Sequence, residues 1–265
     1  MVAITEPDTA PDTIEATVNY HPGQQGLPST EASGGRAQDC RRVLLRNGRL
    51  NPAGFALDSN GFRFVRHDSE VVNFFDGDEV RRVFYSEMEA LVKAESGASR
   101  VVVFGHKVRS TDAALREVHK LYGVVRGVHN DFTESSGPKC LRAHLPQEAE
   151  ELLRRRFAIV QAWRPMNHPV ETLPLAMCDA RSLSTKDLIV SKRRVGLSYS
   201  ITYNPDHCWY WFPRMRCDEV LLFKVYDSLD DGRARWTPHA AFDDPTSPPG
   251  AQPRQSIQVS TFAFF

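Results

Sequence analysis

The chain has 265 residues with 33 Lys and Arg against 33 Asp and Glu, so its formal net charge is zero. Nucleic acid or an acidic membrane surface is therefore disfavoured as a partner, because no sustained positive field attracts phosphate groups. No apolar run approaches the roughly 20 residues of a membrane span, and five scattered cysteines without a CxxC pair favour a reduced, cytoplasmic globular protein.

The first segment, residues 1–38, is rich in Pro, Gly, Ser, Thr and acidic residues and has few apolar positions. Such a composition cannot offset its ordering entropy by burial, so it predicts an N-terminal tail, or a lid packed on the core. Residues 39–265 are predicted to form one domain.

Two segments of this domain predict helices, and seven predict strands. The helical segments are 76–95, with apolar residues at three- and four-residue steps, and 146–156, which begins acidic and ends basic. The strand segments are 100–108, 123–128, 157–163, 197–203, 208–212, 219–226 and 256–265. Asp230-Asp231-Gly232 predicts a hairpin turn. Many short strands with flanking helices predict a mainly β protein with a sandwich or jelly-roll barrel.

A pair of candidate metal ligands stands in Val128-His129-Asn130-Asp131. Residues i and i+2 of an extended chain project to the same side, so His129 and Asp131 can reach one ion. Together with a distant second histidine, they would make the facial triad that binds Fe(II) and leaves positions open. Nine histidines make one HxD match a weak signal, and a strand histidine beside a turn aspartate is the alternative.

Two features near the C-terminus extend this pattern. His239 follows Trp236-Thr237-Pro238, and Arg254-Gln255-Ser256 comes after it. Alternation puts Arg254 and Ser256 on one side of a strand, where a guanidinium and a hydroxyl suit the far carboxylate of a 2-oxo diacid. Taken singly, Arg254 is more typical of an ion pair at the surface or the barrel rim. The order HxD, His and RxS favours a metal centre beside an anion site.

With these motifs the sequence resembles the iron/2-oxoglutarate oxygenases of fungal and bacterial secondary metabolism. The nearest branch holds the cephalosporin-methoxylation component and the AsaB-like hydroxylase/desaturases. The resemblance runs in order from about residue 40 to the end. Its matching stretches are Gly61-Phe62, Val65-Arg66-His67, Ser99-Arg100-Val101-Val102-Val103-Phe104, Val128-His129-Asn130-Asp131, Trp163-Arg164-Pro165, Pro174-Leu175-Ala176, Cys178-Asp179-Ala180, Glu219-Val220-Leu221-Leu222-Phe223-Lys224, Pro238-His239 and Arg254-Gln255-Ser256.

The resemblance implies a mainly β fold with flanking helices around a double-stranded β-helix (jelly-roll, cupin-like) core. It implies Fe(II), 2-oxoglutarate as cosubstrate and O2. His129, Asp131 and His239 are implied as iron ligands, and Arg254 and Ser256 as contacts to the cosubstrate. The implied reaction abstracts hydrogen from a small amino-acid- or metabolite-type substrate and releases succinate and CO2. Hydroxylation, desaturation and ring closure, such as aziridine formation, all stay open as outcomes.

Five residues are candidates for binding the organic substrate: Phe132, Trp163, Arg164, Gln258 and Ser260. Where the family is expected to read Ser-Ile-Glu-Val-Arg, this chain has Ser256-Ile257-Gln258-Val259-Ser260. The loss of both charges, on the face that continues from Arg254, indicates an altered substrate pocket.

The alternative function is a cupin-like metal-binding or small-molecule-binding barrel without oxygen chemistry. The expected partner is a small-molecule substrate, with no nucleic acid and no membrane. A homo-oligomer is compatible with the sequence but is not readable from it.

Overall fold

The computed structural model describes residues 10–23, 38–193 and 196–265. Most of the predicted N-terminal segment therefore lies outside the described residues. Its described part contains strand β1 (Thr13–Tyr20), which the composition does not predict. Ile14, Ala16, Val18 and Tyr20 alternate with exposed residues and are buried, which explains why this stretch forms a half-buried strand. In the described part of the chain, no helix has the length and apolar character needed to cross a membrane.

The larger of two sheets has eight strands in the order β1-β2-β10-β7-β12-β5-β9-β8. Only β2 and β10 pair in parallel; the other neighbours are antiparallel. Besides β1, its strands are β2 (Asp39–Asn47), β5 (His129–Asn130), β7 (Leu175–Cys178), β8 (Leu188–Arg193), β9 (Gly196–Ile201), β10 (Trp209–Trp211) and β12 (His239–Ala241).

The smaller sheet is antiparallel throughout, in the order β3-β11-β6-β13-β4. Its strands are β3 (Phe62–Arg66), β4 (Arg100–Ser110), β6 (Phe157–Pro165), β11 (Glu219–Asp227) and β13 (Gln255–Phe264). One buried cluster joins Leu175 and Met177 of the larger sheet to Leu221, Phe223 and Phe262 of the smaller, so the two sheets pack face to face. Between them they form the predicted jelly-roll core.

Helices cover the outer face of the smaller sheet. The main one comprises α1 (Gly77–Glu79), a π-helical turn (Val80–Phe84) and α2 (Tyr85–Ser96), and it confirms the predicted helix at 76–95. Val80, Phe84, Met88 and Val92 pack against Val220 and Leu222 of β11 and Val160 of β6. Strands β6 and β11 are consequently buried on both faces, one toward this helix and one toward the larger sheet.

Several local predictions are wrong. The segment 146–156 forms only the single turn α5 (Ala149–Leu152), while α3 (Ala113–His119) and α4 (Ser136–His144) were not predicted. The apolar stretch 123–128 is not a strand; Val125 is apolar because it lines a cavity. Asp230-Asp231-Gly232 is not a hairpin turn, because it lies on the connection from β11 in one sheet to β12 in the other.

Candidate metal centre

Two adjacent strands of the larger sheet bring distant histidines together. His129 of β5 and His239 of β12 are directly paired in the ladder, and their ring centroids lie 4.4 Å apart. Asp131 follows β5 immediately, and its Oδ1 lies 3.6 Å from Nε2 of His129. The potential ligand atoms of all three residues lie within 4.8 Å of one another. A donor set of two imidazoles and one carboxylate is that of non-haem Fe(II) oxygenases.

The tautomer of both imidazoles is fixed by backbone carbonyls. Nδ1 of His129 lies 2.9 Å from the carbonyl oxygen of Gly127, and Nδ1 of His239 lies 3.0 Å from that of Thr237. A carbonyl oxygen only accepts, so Nδ1 donates in each ring and Nε2 carries the lone pair with which an imidazole binds a metal. Burial lowers the pKa of His239, which favours the neutral ring that metal binding requires.

The carboxylate of Asp131 is held by two amides of the smaller sheet. Its Oδ2 accepts hydrogen bonds from Nε2 of Gln161 at 2.6 Å and from Nε2 of Gln258 at 3.3 Å. Burial would raise the pKa of Asp131, but the imidazoles of His129 and His239, the hydrogen bond from the Gln161 amide and the charge of Lys107 hold it well below its usual range. Asp131 is therefore kept as the anion that a cation needs.

Gln161 and Asn130 were missed from the sequence. Gln161 is the one polar residue in the apolar run Phe157–Trp163, and that interruption is the signal that could have found it. Asn130 is fully buried between the two candidate ligands of the HxD motif. Its amide donates to the carbonyl of Val225 at 2.8 Å and its Oδ1 accepts from the amide of Thr237 at 3.1 Å. It thus ties β5 to β11 and to the segment that precedes His239.

The guanidinium of Arg254 lines a cavity that His129 and His239 also line. Arg254 is 2% exposed, and it donates to the carbonyl of Leu173 at 2.6 Å and to Oγ of Ser256 at 3.2 Å. Its Cζ lies 4.8 Å from the centre of the Trp163 ring. Among the described residues no carboxylate pairs with it, and burial, reinforced by Arg109, lowers its pKa to about 9. Arg254 is therefore a buried cation to which the described residues supply no anion, and an uncompensated buried charge is costly.

A small cavity lies between these groups. Its lining residues are Arg109, Val125, His129, Trp163, Leu175, His239, Ala241, Arg254 and Gln258. Trp163 is almost fully buried, and its indole N–H has no partner within the described part of the chain. Two of the five candidate substrate residues, Trp163 and Gln258, thus face this cavity.

The other three candidates lie elsewhere. Ser260 is next along the same face of β13, 3.5 Å from Nε2 of Gln161. Phe132 packs edge-on against Phe104 in the core, 6.3 Å between ring centroids. Arg164 is on the opposite face of β6, where it donates to the carbonyls of Pro165 and Cys217. Consecutive residues of a strand face opposite sides, so the register that turns Trp163 into the cavity turns Arg164 away.

Comparison with known proteins gives consistent matches over nearly the whole chain. A family model described as "Oxidoreductase/YMDC permease-like domain" matches residues 5–264. The hydroxylase/desaturase efuI of Hormonema carpetanum is 31% identical, covering 96% of this chain and 95% of that protein. The hydroxylase/desaturase asaB of Aspergillus flavus is 30% identical, covering 95% of each.

Among solved structures, the chain is similar to the iron and alpha-ketoglutarate-dependent endoperoxidase NvfI. One NvfI structure aligns with a TM-score of 0.84 at 25% identity, covering 97% of this chain and 99% of that one. The similarity therefore extends to both sheets.

Proposed function

Because the chain belongs to the hydroxylase/desaturase family of Fe(II)/2-oxoglutarate-dependent dioxygenases, we propose that His129, Asp131 and His239 hold its iron and that Arg254 and Ser256 bind its 2-oxoglutarate. The observation that carries this assignment is the convergence of two tautomer-fixed imidazoles and one ionised carboxylate within 4.8 Å. The alternative of a barrel without oxygen chemistry is disfavoured by the family to which the chain belongs.

The residues present fit the expected metal. Each imidazole offers Nε2 because Nδ1 donates to a carbonyl, and Asp131 offers Oδ1 because Gln161 and Gln258 engage Oδ2. When bound, Fe(II) with 2-oxoglutarate and O2 supplies the oxidising chemistry, which belongs to the cofactor. The protein contributes the fixed orientation of the ligands.

The residues present also fit a dicarboxylate cosubstrate. Arg254 is buried and has no carboxylate partner among the residues that the structure describes, so an incoming carboxylate would relieve the cost of its desolvation. The guanidinium fork matches a carboxylate in two hydrogen bonds, and Ser256 adds a hydroxyl donor beside it. Stacking over Trp163 keeps the guanidinium in place when the site is empty of anions.

The organic substrate is proposed to be a small secondary metabolite or amino-acid-type molecule that contacts Trp163, Gln258 and Ser260, with Phe132 behind them. Support comes from the placement of Trp163 and Gln258 in the cavity and from the free indole N–H. Relatives are named hydroxylase/desaturase and endoperoxidase, so hydroxylation, desaturation and ring closure are all within the proposed chemistry. The separate 1–38 segment, the cytoplasmic location and the absence of nucleic-acid partners stay predictions.

Anaerobic titration tests the proposal. Purified protein with Fe(II) is titrated with 2-oxoglutarate, and the weak visible charge-transfer absorption of the chelated iron is followed; succinate is then measured after air is admitted. We expect the band and succinate release in the wild type and in His144→Ala, which alters an exposed histidine of α4. His129→Ala should lose both. A band of unchanged intensity in His129→Ala, or none in the wild type, would refute the assignment.

A further inference from the structure

Strand β4 carries a second guanidinium into the cavity, one that sequence reasoning did not single out. Arg109 is directly opposite Ser256 in the β4–β13 ladder, so both side chains project from the same face of the sheet. Arg109 lines the same cavity as Arg254, His129 and His239. The guanidinium of Arg109 therefore faces the proposed iron and cosubstrate sites from the neighbouring strand.

Protein groups satisfy Arg109 only in part. One amino group donates to the carbonyl of Gly123 at 2.6 Å, and its Cζ lies 5.8 Å from the centre of the Tyr122 ring. No carboxylate lies within ion-pair distance of Arg109 among residues 10–23, 38–193 and 196–265. Burial lowers the pKa of Arg109, with Asp131 and Tyr122 acting in the opposite direction. The remaining N–H groups are available to an acceptor in the cavity.

The two guanidiniums lie at different depths. Arg254 is almost completely buried, whereas Arg109 is partly exposed and lies beside Tyr122, which is 49% exposed. The segment around Tyr122 also contributes Val125 to the cavity wall, so Arg109 lies near the opening of the cavity to solvent. A cosubstrate that binds in the deeper part of the cavity would contact Arg254. The organic substrate would then enter beside Arg109.

The charges in the cavity favour one more anion than the cosubstrate supplies. With neutral imidazoles, the charges of Fe(II), Asp131, doubly ionised 2-oxoglutarate and Arg254 cancel. Lys107, on the same face of β4, adds positive charge that acts on Asp131, and Arg109 adds a further unbalanced positive charge in a partly desolvated site, where an unpaired charge is costly. A singly charged anionic group on the substrate would balance it.

We propose that Arg109 binds a carboxylate of the organic substrate, which makes the substrate class small carboxylic acids, amino acids among them. This inference rests on the proposed function and narrows it. A fork of N–H donors at the mouth would orient the carboxylate outward and present the rest of the molecule toward His129, Asp131 and His239.

The test measures binding to protein loaded anaerobically with Fe(II) and 2-oxoglutarate. Isothermal titration uses matched pairs: 3-methylbutanoate, 3-phenylpropanoate and N-acetylvaline, each beside its primary amide. At least one acid should bind roughly 10- to 100-fold more tightly than its amide in the wild type. Arg109→Gln should lose this preference while keeping its 2-oxoglutarate affinity within about threefold, and Arg109→Lys should keep part of the preference.

Arg126→Gln is the matched control, because Arg126 belongs to the same mouth segment but is already paired with Asp243. It should retain the preference for acids. Equal binding of acids and amides, binding of neither, or a tenfold loss of 2-oxoglutarate affinity in Arg109→Gln would overturn the inference, the last result placing Arg109 in the cosubstrate site. If the wild type shows no charge-transfer band, the proposed function itself fails, and the two failures are thereby distinguished.

Discussion

Replacing Arg254 by Met should separate stability from cosubstrate binding. Burial, together with the nearby positive charge of Arg109, lowers the pKa of Arg254 to about 9, which corresponds to an unfavourable contribution of at most about 5 kcal/mol to folding. Against it stand the hydrogen bond to the Leu173 carbonyl at about 2 kcal/mol, the one to Ser256 at about 1 kcal/mol, and the stacking on Trp163 at about 2 kcal/mol. These contributions nearly cancel. Met fills a similar volume, so the free energy of unfolding of the metal-free variant should change by less than about 2 kcal/mol.

Binding should respond very differently. Removing one partner of a buried guanidinium–carboxylate pair costs about 2–5 kcal/mol, so 2-oxoglutarate should bind Arg254→Met at least roughly 30-fold more weakly. In urea unfolding under anaerobic Fe(II), 2-oxoglutarate at 100 times its wild-type Kd should stabilise the wild type by about 2.7 kcal/mol. A variant with 100-fold weaker binding should gain only about 0.4 kcal/mol at the same concentration.

Arg164→Met is the control, because Arg164 is equally buried but lies on the other face of β6 between Phe74 and Phe84. Whatever the substitution does to stability, 2-oxoglutarate should raise the free energy of unfolding of Arg164→Met by the same amount as that of the wild type. The reasoning would be refuted if the free energy of unfolding of Arg254→Met fell by several kcal/mol while 2-oxoglutarate still stabilised the variant by the full amount of about 2.7 kcal/mol. Arg254 would then stabilise the fold and not bind the cosubstrate.

Three other outcomes are expected. Gly61→Ala should lower the free energy of unfolding by about 2–5 kcal/mol, because Gly61 has φ +86° and an added Cβ would collide with the Thr237 hydroxyl. The control Gly54→Ala, at φ +64° with open space around it, should lower the free energy of unfolding by only about 1–2 kcal/mol. Equal losses for the two variants in urea unfolding would refute this. Gln161→Leu should weaken Fe(II) or Co(II) binding roughly 10- to 100-fold, since it removes the 2.6 Å hydrogen bond to Asp131; unchanged metal affinity in equilibrium titration would contradict it. The metal-free protein should lose stability as pH falls below about 6.5, by up to about 1.4 kcal/mol per pH unit for each proton taken up. The reason is that desolvation lowers the folded-state pKa of His67, His106, His207 and His239, so the unfolded chain binds more protons in this range. Urea unfolding from pH 8 to 5 with no such decline would be inconsistent with neutral rings at these four positions.

Elements with a strong apolar pattern were predictable. The helix at 76–95 follows from apolar spacing, and the strands β4, β6, β11 and β13 follow from runs rich in apolar and β-branched residues, because burial against neighbouring layers demands these patterns. Strand β1 was not predictable from composition, since residues 1–38 as a whole are rich in Pro and Gly; the alternation of Ile14, Ala16, Val18 and Tyr20 is the local signal for this strand, which pairs with β2. The single turn of α5 shows the opposite error, because a favourable charge order does not lengthen a helix whose end, Leu152 and Leu153, packs into the core.

By itself, the sequence determined the donor types and their order: the HxD pair, the later histidine and the RxS pair on a final strand. Those features are local, since they need only the period of two along an extended chain. Only the tertiary structure decided which residues surround them. Gln161 reaches Asp131, Arg109 stands opposite Ser256, and Arg164 turns away, all because pairing between strands distant in sequence sets which side chains share a face.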